Sequence, residues 1–299
     1  MLFAARQMIE KSIEHPCNLY ILFVDLKKAH NSVPRAALWP TLAKLGVPPR
    51  MLQVIRALHN GMLAHVRVDG SVTEEFVVTN GLRQGCTLAP MLFNLYFAAV
   101  MAHWRGTSST RGIPVLFRMG RRLVGDRTAK SRLQSVLVSD SQFADDVALY
   151  TTTRDNLQIM ATEFAAPAAR WGLTVSVQKT KALAVGESVD RHDVCLPNGN
   201  IIESMRQFTY LGSNLDDHGS LDEEVSICLR KAAQIYGCLH DAVFGNAALS
   251  LATKRHVYQA TVLMVLFYGS ETWTVKAGHL RRLSSFHNHC IRRILGVSR

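Results

Sequence analysis

Two adjacent carboxylates, Asp145 and Asp146, sit between short apolar flanks, Gln142-Phe143-Ala144 before them and Val147-Ala148-Leu149-Tyr150 after. The flanks read as two strands of a hairpin with the acid pair at its tip. Aspartate is a poor strand residue, and such local violations gather at functional sites. A solvated Asp-Asp turn accounts for the pair as well, taken alone. Far upstream, Asp25 ends the apolar run Leu19–Val24, which is long enough for one buried strand. An acid in that place points into a site or caps a helix begun by Leu26-Lys27-Lys28-Ala29. Carboxylates from separate strand ends suit two divalent cations ~3.5–4 Å apart, held for in-line phosphoryl transfer.

Such a site needs strands that end together and helices behind them. Residues 1–13 read as the end of a helix. Ser32 is placed as the N-cap of a helix entered through Pro34, with Leu38, Leu42 and Leu45 on one face and Gly46 with Pro48-Pro49 ending it. A second helix runs to about Leu58. Residues 63–68 and 72–78 alternate around Asp69-Gly70, a hairpin signal. Gly81 to Pro90 is a loop entering a buried helix that reaches Met101. Leu157 to Trp171 is helical, with Pro167 expected to kink or shorten it and Gly172 at its C-terminal end. Leu173, Val175 and Val177 are predicted to start a strand. Pro197 to Asn200 is a turn between short strands. Beyond Gly212 the pattern is helical: Ser220-Leu221-Asp222-Glu223 reads as a capping box, Leu221 to Leu239 as an amphipathic helix, and 250–267 and 276–295 as two more.

The chain has 299 residues, 48% of them hydrophobic, which supports a sizeable core and excludes a disordered chain. Thirty-four Lys and Arg against 23 Asp and Glu give a net charge of +11. That balance suits a polyanion such as nucleic acid, or an anionic membrane surface. The charge is concentrated in Arg105 to Arg132, where Asp126 is the lone acid, and in Lys254 to Arg299, where Glu271 is. Each block could also be a solvated face. The first block reads as a hairpin-rich insertion. The six cysteines form no C-x-x-C pair and are expected to be reduced and mostly buried. His287-Asn288-His289-Cys290 reads as a polar helix face rather than a zinc site. The longest apolar candidate, Val262 to Tyr268, is too short to cross a bilayer. An intracellular protein is expected, in nucleus or cytoplasm.

The segments Phe23-Val24-Asp25-Leu26-Lys27-Lys28-Ala29, Gly81 to Pro90 and Phe143-Ala144-Asp145-Asp146 resemble motifs A, B and C of reverse transcriptases. Their order and spacing are similar to those of non-LTR (LINE-like) retrotransposons. Gly172 to Lys181 resembles motif D, and Phe208-Thr209-Tyr210-Leu211-Gly212-Ser213 resembles motif E, the primer grip. The likeness continues through Tyr268-Gly269-Ser270-Glu271-Thr272-Trp273 to Ile294-Leu295-Gly296. It implies an α+β fold: a polymerase palm with a small antiparallel sheet and helices on one face, partial fingers, and an all-helical thumb. The expected boundary lies at 215, with palm and partial fingers in 1–215 and the thumb in 216–299. Most of the fingers and any endonuclease domain are expected to be missing.

The resemblance further implies RNA-directed DNA synthesis, with nucleotidyl transfer from a dNTP to a primer 3′-hydroxyl. Asp25, Asp145 and Asp146 would hold two Mg²⁺ ions, with Mn²⁺ as an alternative. Lys179 would act as a general acid near the leaving pyrophosphate, or is a surface lysine. Leu26, His30, Arg83, Gln84, Gly85, Phe143 and Ala144 would line the nucleotide site. RNA template, DNA primer and RNA–DNA duplex are the implied partners. Two positions depart from the family: His30 stands where an aromatic residue usually excludes the ribose 2′-hydroxyl, and Asn31 where Asp is usual. A catalytically dead nucleic-acid-binding remnant is the alternative. An RNA-templated RNA polymerase, which shares paired acids, fits less well, because Phe-Ala-Asp-Asp replaces its usual Gly-Asp-Asp.

Overall fold

Six consecutive apolar residues make Leu19–Val24 a strand with every side chain buried. In the computed structural model it is the middle of a five-stranded sheet, ordered 204–205, 181–185, 19–24, 146–151, 140–143. Residues 1–15, 17–83, 85–110, 112–119, 132–186, 189 and 193–297 are described. The central strand runs antiparallel to both neighbours. The edge pair Lys181–Val185 and Ser204–Met205 is parallel, so the sheet is mixed rather than wholly antiparallel.

The chain divides into two compact units, Cys17–Met205 and a second that joins Met1–Pro16 to Arg206–Arg299. The units divide after Met205, ten residues before the expected boundary at 215, and the first helix, α1 (Leu2–Glu14), belongs with the C-terminal part.

The unit Cys17–Met205 contains α2 (Ala29–Ser32), α3 (Arg35–Lys44), α4 (Pro49–His59), α5 (Ala89–Thr107) and α6 (Arg154–Arg170). Strand residues at period two, Tyr20, Leu22, Val24, Val147 and Leu149, share one core with Phe93, Tyr96 and Phe97 of α5 and with Met160 and Phe164 of α6. This packing sets the helices against one face of the sheet. The hairpin at Asp69-Gly70 forms as expected, with both residues at positive φ (48° and 84°). Within the basic block, Ile113–Met119 pairs antiparallel with Arg132–Val138; residues 120–131 lie outside the described residues.

Three local expectations are corrected. Ser32 ends α2 instead of capping α3, and its hydroxyl donates to the carbonyls of Lys27 and Lys28 at 3.0 and 3.1 Å. The strand expected from Leu173 starts at Lys181, because residues 174–180 are drawn to the end of the central strand by hydrogen bonds described below. Pro167 lies in the last turn of α6, whose end is set by Gly172 at φ 74°.

The other unit holds a hairpin, Gln207–Tyr210 with Ser213–Asp216, and the helices α7 (Asp222–Leu239), α8 (Leu251–Tyr258), α9 (Met264–Leu266) and α10 (Ala277–Leu295). A π-helical stretch, Gln259–Leu263, links α8 to α9. Val225, Ala232, Tyr236, Tyr258, Val262, Cys290 and Ile294 form its core. The capping box is not made: the Ser220 hydroxyl accepts from the Asp222 N–H at 3.1 Å, and α7 begins without a side-chain cap. The hairpin turn places Leu211 and Gly212 at φ 49° and 82°. The Tyr268 hydroxyl donates to the Leu211 carbonyl at 2.7 Å, and a Cβ on Gly212 would lie 2.9 Å from the Tyr268 ring. The Arg6 guanidinium, in α1, donates to the Ser213 hydroxyl (2.8 Å) and the Asn214 carbonyl (3.1 Å). Glu224, 1% exposed, accepts from the Ser213 hydroxyl and the Asn214 N–H, both at 2.6 Å, and lies 3.9 Å from Arg6.

All six cysteines are free, but only Cys228 and Cys290 are buried, so the expected burial of most of them does not hold. His287 shares a 3.1 Å hydrogen bond with the Tyr258 hydroxyl. No helix among the described residues is long and apolar enough to cross a membrane.

Candidate active site

The hairpin Asp140–Phe143 and Asp146–Thr151 pairs Phe143 with Asp146, which leaves Ala144 and Asp145 as a two-residue turn. Ala144 is held at φ 53°, a left-handed conformation that costs a non-glycine residue about 1–2 kcal/mol and is met at sites that constrain their backbone. On the other side of the same strand, Val147 pairs with Val24. The next step along that antiparallel ladder sets Asp146 beside Asp25. All three acids therefore stand at one end of two adjacent central strands. Burial raises the pKa of Asp146 above the ordinary carboxylate range, the charges of Asp145 and then Asp25 add to the rise, and Lys179 opposes it.

The backbone of Asp25 is clasped by the segment that resembles motif D. Its N–H donates to the Thr180 hydroxyl at 3.1 Å, and its carbonyl accepts from the Ser176 N–H at 2.8 Å. Lys27 N–H donates to the Thr174 carbonyl at 2.8 Å, and Leu26 bridges to Val175. This clasp brings the exposed Lys179 ammonium to 3.6 Å from Asp25 Oδ2. That oxygen is buried and has no hydrogen-bond partner. Among the described residues no three His, Cys, Asp or Glu side chains form a ready-made metal cage.

His30 lies over Phe93 with ring centroids 4.4 Å apart, and Phe93 in turn stacks on Phe97 at 5.5 Å. The loop resembling motif B is tied to the same place: Leu82 N–H donates to the His30 carbonyl and Gly81 N–H to the Val33 carbonyl, both at 2.9 Å. Gly81 sits at φ 78°, and a Cβ there would come within 2.6 Å of the Asn31 carbonyl oxygen. Only glycine allows that approach. The Arg35 guanidinium joins three carbonyls, those of Gly81 (2.8 Å), His59 (2.8 Å) and Val78 (2.9 Å). Arg83 is exposed, Gly85 is at φ 77° in open space, and Gln84 lies outside the described residues. Leu26 is 3% exposed and turned into the core, so a nucleotide contact from this residue would fall to its main chain. Phe143, expected to line the nucleotide site, is 61% exposed at the strand end. Thr180, Phe93 and Arg35 were not expected at the site. Their signals were slight: a threonine beside Lys179, one more aromatic in an apolar helix, and an arginine in a first helical turn.

In the metal-free protein, Asp146→Asn should raise the melting temperature at neutral pH. A carboxylate whose folded pKa is raised destabilises the fold where it is ionised, and the penalty fades as pH falls into the carboxylate range. The gain from the substitution should therefore shrink toward zero below pH ~4, the unperturbed range. Thermal melts of both proteins from pH 3 to 8 in EDTA measure it, and a pH-independent difference would mean that the buried, repelled charge of Asp146 is not its cause.

Residues 2–215 match the model of a family described as reverse transcriptase (RNA-dependent DNA polymerase). The chain belongs to that family. It is similar to the Pol polyprotein of the type-2 retrotransposable element R2DM of Drosophila melanogaster, with 29% identity over 153 residues, 51% of this chain and 12% of that one. It is also similar to the RNA-directed DNA polymerase from the mobile element jockey of the same species, with 21% identity over 282 residues, 92% of this chain and 28% of that one. The chain thus spans less than a third of either relative. Among solved structures, apo telomerase from Candida tropicalis truncated from its C-terminal domain matches with a TM-score of 0.48 and 12% identity, over 73% of this chain and 38% of that one. The family match and the two retrotransposon relatives agree with the likeness to retrotransposon reverse transcriptases read from the motifs.

Proposed function

We propose that this chain carries the RNA-directed DNA polymerase centre of a retrotransposon, joining a dNTP to a primer 3′-hydroxyl on an RNA template. The observation that supports the reading is the placement of Asp25, Asp145 and Asp146 at one end of the two central strands, where the charges of Asp145 and Asp25 both act on Asp146. In this reading the five-stranded sheet with α5 and α6 is the palm, and α7 to α10 form the thumb that follows the primer grip. RNA template, DNA primer and their duplex are the macromolecular partners.

The three carboxylates would hold two Mg²⁺ ions, or Mn²⁺ in their place. Hard carboxylate oxygens suit either ion, and the buried Asp25 Oδ2 accepts no hydrogen bond, its charged neighbour being the Lys179 ammonium at 3.6 Å. When bound, such ions supply charge neutralisation at the attacking and leaving oxygens. The protein's own part is positioning. Thr180 and Ser176 fix the Asp25 backbone, and the hairpin turn fixes Asp145. Lys179 would keep a proton close to the leaving pyrophosphate. Arg83, Gln84 and Gly85 would receive the nucleotide beside His30, with Phe143 and Ala144 on the hairpin side.

The purified chain, given an RNA template, an annealed DNA primer, dNTPs and Mg²⁺, should extend the primer, and EDTA should stop it. Binding of the primer–template without extension in either Mg²⁺ or Mn²⁺ would favour the non-catalytic remnant, to which the departures at His30 and Asn31 point.

His30→Phe tests the sugar gate. Imidazole is smaller than phenyl and can hydrogen-bond a 2′-hydroxyl, so a clash is replaced by a contact, each worth about 1–3 kcal/mol or ~10–200-fold in discrimination. The variant should reject ribonucleotides more strongly, and its ring would still rest on Phe93. The ratio of kcat/KM for a deoxynucleotide over its ribonucleotide measures the change. An unmoved ratio removes His30 from the gate.

A further inference from the structure

An open groove of about 1180 Å³ runs between α7 and α10. Its walls carry Arg230 from α7 and Arg281, Arg282, Arg292 and Arg293 from α10, over a floor that includes Phe286. No carboxylate lines it among the described residues. Arg230 meets Glu223 at 3.4 Å, and Arg282 donates to the Ser226 hydroxyl at 2.7 Å. Among the described residues, no carboxylate pairs with Arg281, Arg282, Arg292 or Arg293. Guanidinium groups present a planar fork that matches phosphate oxygens. The two arginine pairs of α10 are eleven residues apart, roughly 16 Å along the helix and within about 20° of the same face. That spacing suits a chain of phosphates better than a single anion.

The groove has a definite place on α7. Glu224 faces the hairpin of the primer-grip segment, through Ser213 and Asn214. Ser226, Arg230 and Ala233, which line the groove, lie roughly 180–240° around the helix from Glu224 at 100° per residue. The arginines therefore face away from the hairpin.

We propose that this groove is a second nucleic-acid site, which holds the phosphate backbone of a strand other than the primer–template engaged at the primer grip. Charge complementarity selects a polyanion, and the groove's length selects a polymeric one. The site would anchor a distal stretch of the copied RNA, or the DNA that receives the copy. Either strand presents the same phosphates.

The test uses the full chain, with labelled 20-nucleotide RNA and DNA strands of one sequence and fluorescence anisotropy across a salt series. Arg281→Gln/Arg292→Gln should weaken strand binding by roughly tenfold at 0.1 M salt and reduce the slope of log K against log salt by about 1.4, from two lost phosphate contacts on a single strand. Loss on RNA, on DNA or on both supports the site and tells which strand it takes. Binding of the strand should persist when the protein is first saturated with a primer–template duplex. Arg281→Lys/Arg292→Lys should restore part of the affinity, since charge returns without the fork. All these residues are exposed, and unchanged thermal melts confirm that the variants fold. The same loss should appear in an Asp145→Asn background, so the site stands or falls apart from catalysis. Unchanged affinity and slope in the Gln variant, full competition by the primer–template duplex, or tighter binding of a polyglutamate peptide than of either strand would each overturn the proposal.

Discussion

Asp145→Asn should lower the rate of primer extension at saturating dNTP and Mg²⁺ by about three orders of magnitude, or about 4 kcal/mol of barrier. The substitution keeps the shape of the side chain and removes the charge. Phosphoryl transfer leaves little covalent work to a protein, so positioning and charge stabilisation carry most of the rate. Asp145 sits in the two-residue turn between paired Phe143 and Asp146, close enough for its charge to raise the pKa of Asp146 without belonging to the ladder. The fold should not suffer, because a repulsive neighbour of Asp146 is lost. Wild-type protein should melt at a higher temperature when Mg²⁺ is added, since a ligand of the native state stabilises it. The variant should show little of that shift. A residual rate within tenfold of wild type would remove Asp145 from the reaction.

Arg6→Met should destabilise the unit formed by Met1–Pro16 and Arg206–Arg299 by about 3–5 kcal/mol, the range for removing one partner of a buried ion pair. Glu224 would remain 1% exposed with its charge uncompensated, and the Ser213 hydroxyl and Asn214 carbonyl would lose a donor. Burial already holds the Arg6 guanidinium below its ordinary pKa, with Glu224 the chief opposing influence. Its Nε has no partner, so the pair is imperfect as built. The double variant Arg6→Met/Glu224→Gln should therefore recover part of the loss. Urea denaturation followed by near-UV circular dichroism measures both. A single-variant loss under 1 kcal/mol would mean that α1 is held by its apolar face alone.

What the sequence showed and hid divides by distance along the chain. The apolar runs of Leu19–Val24 and of α5, the turn at Asp69-Gly70 and the acid pair depend on neighbours, so periodicity and local preference reveal them. Thr180 meets Asp25 across 155 residues, Arg35 meets Gly81 across 46, and Arg6 meets Ser213 across 207. No local pattern marks a side chain whose partner is so remote. The displaced strand at Lys181 has the same cause. Leu173, Val175 and Val177 alternate as a strand should, but the backbone of Thr174 and Ser176 between them is spent on the end of the central strand. The division after Met205 escapes the motifs because motif order follows the sequence, whereas the hairpin Gln207–Tyr210 with Ser213–Asp216 packs with α7 after it and with α1 before it.

That arrangement bears on how the chain is made. Ser213 leaves the ribosome 207 residues after Arg6, which at synthesis rates of about 5–20 residues per second is a delay of about 10–40 s. Cys17–Met205 is one contiguous stretch and can close its core during that interval. Helix α1, only 13 residues long, is marginal alone and must wait with its arginine in water. The unit that holds Ser213 and Glu224 is thus sealed by a helix translated 207 residues earlier, and a nascent chain stalled before Glu224 would present α1 to chaperones as an unfinished edge.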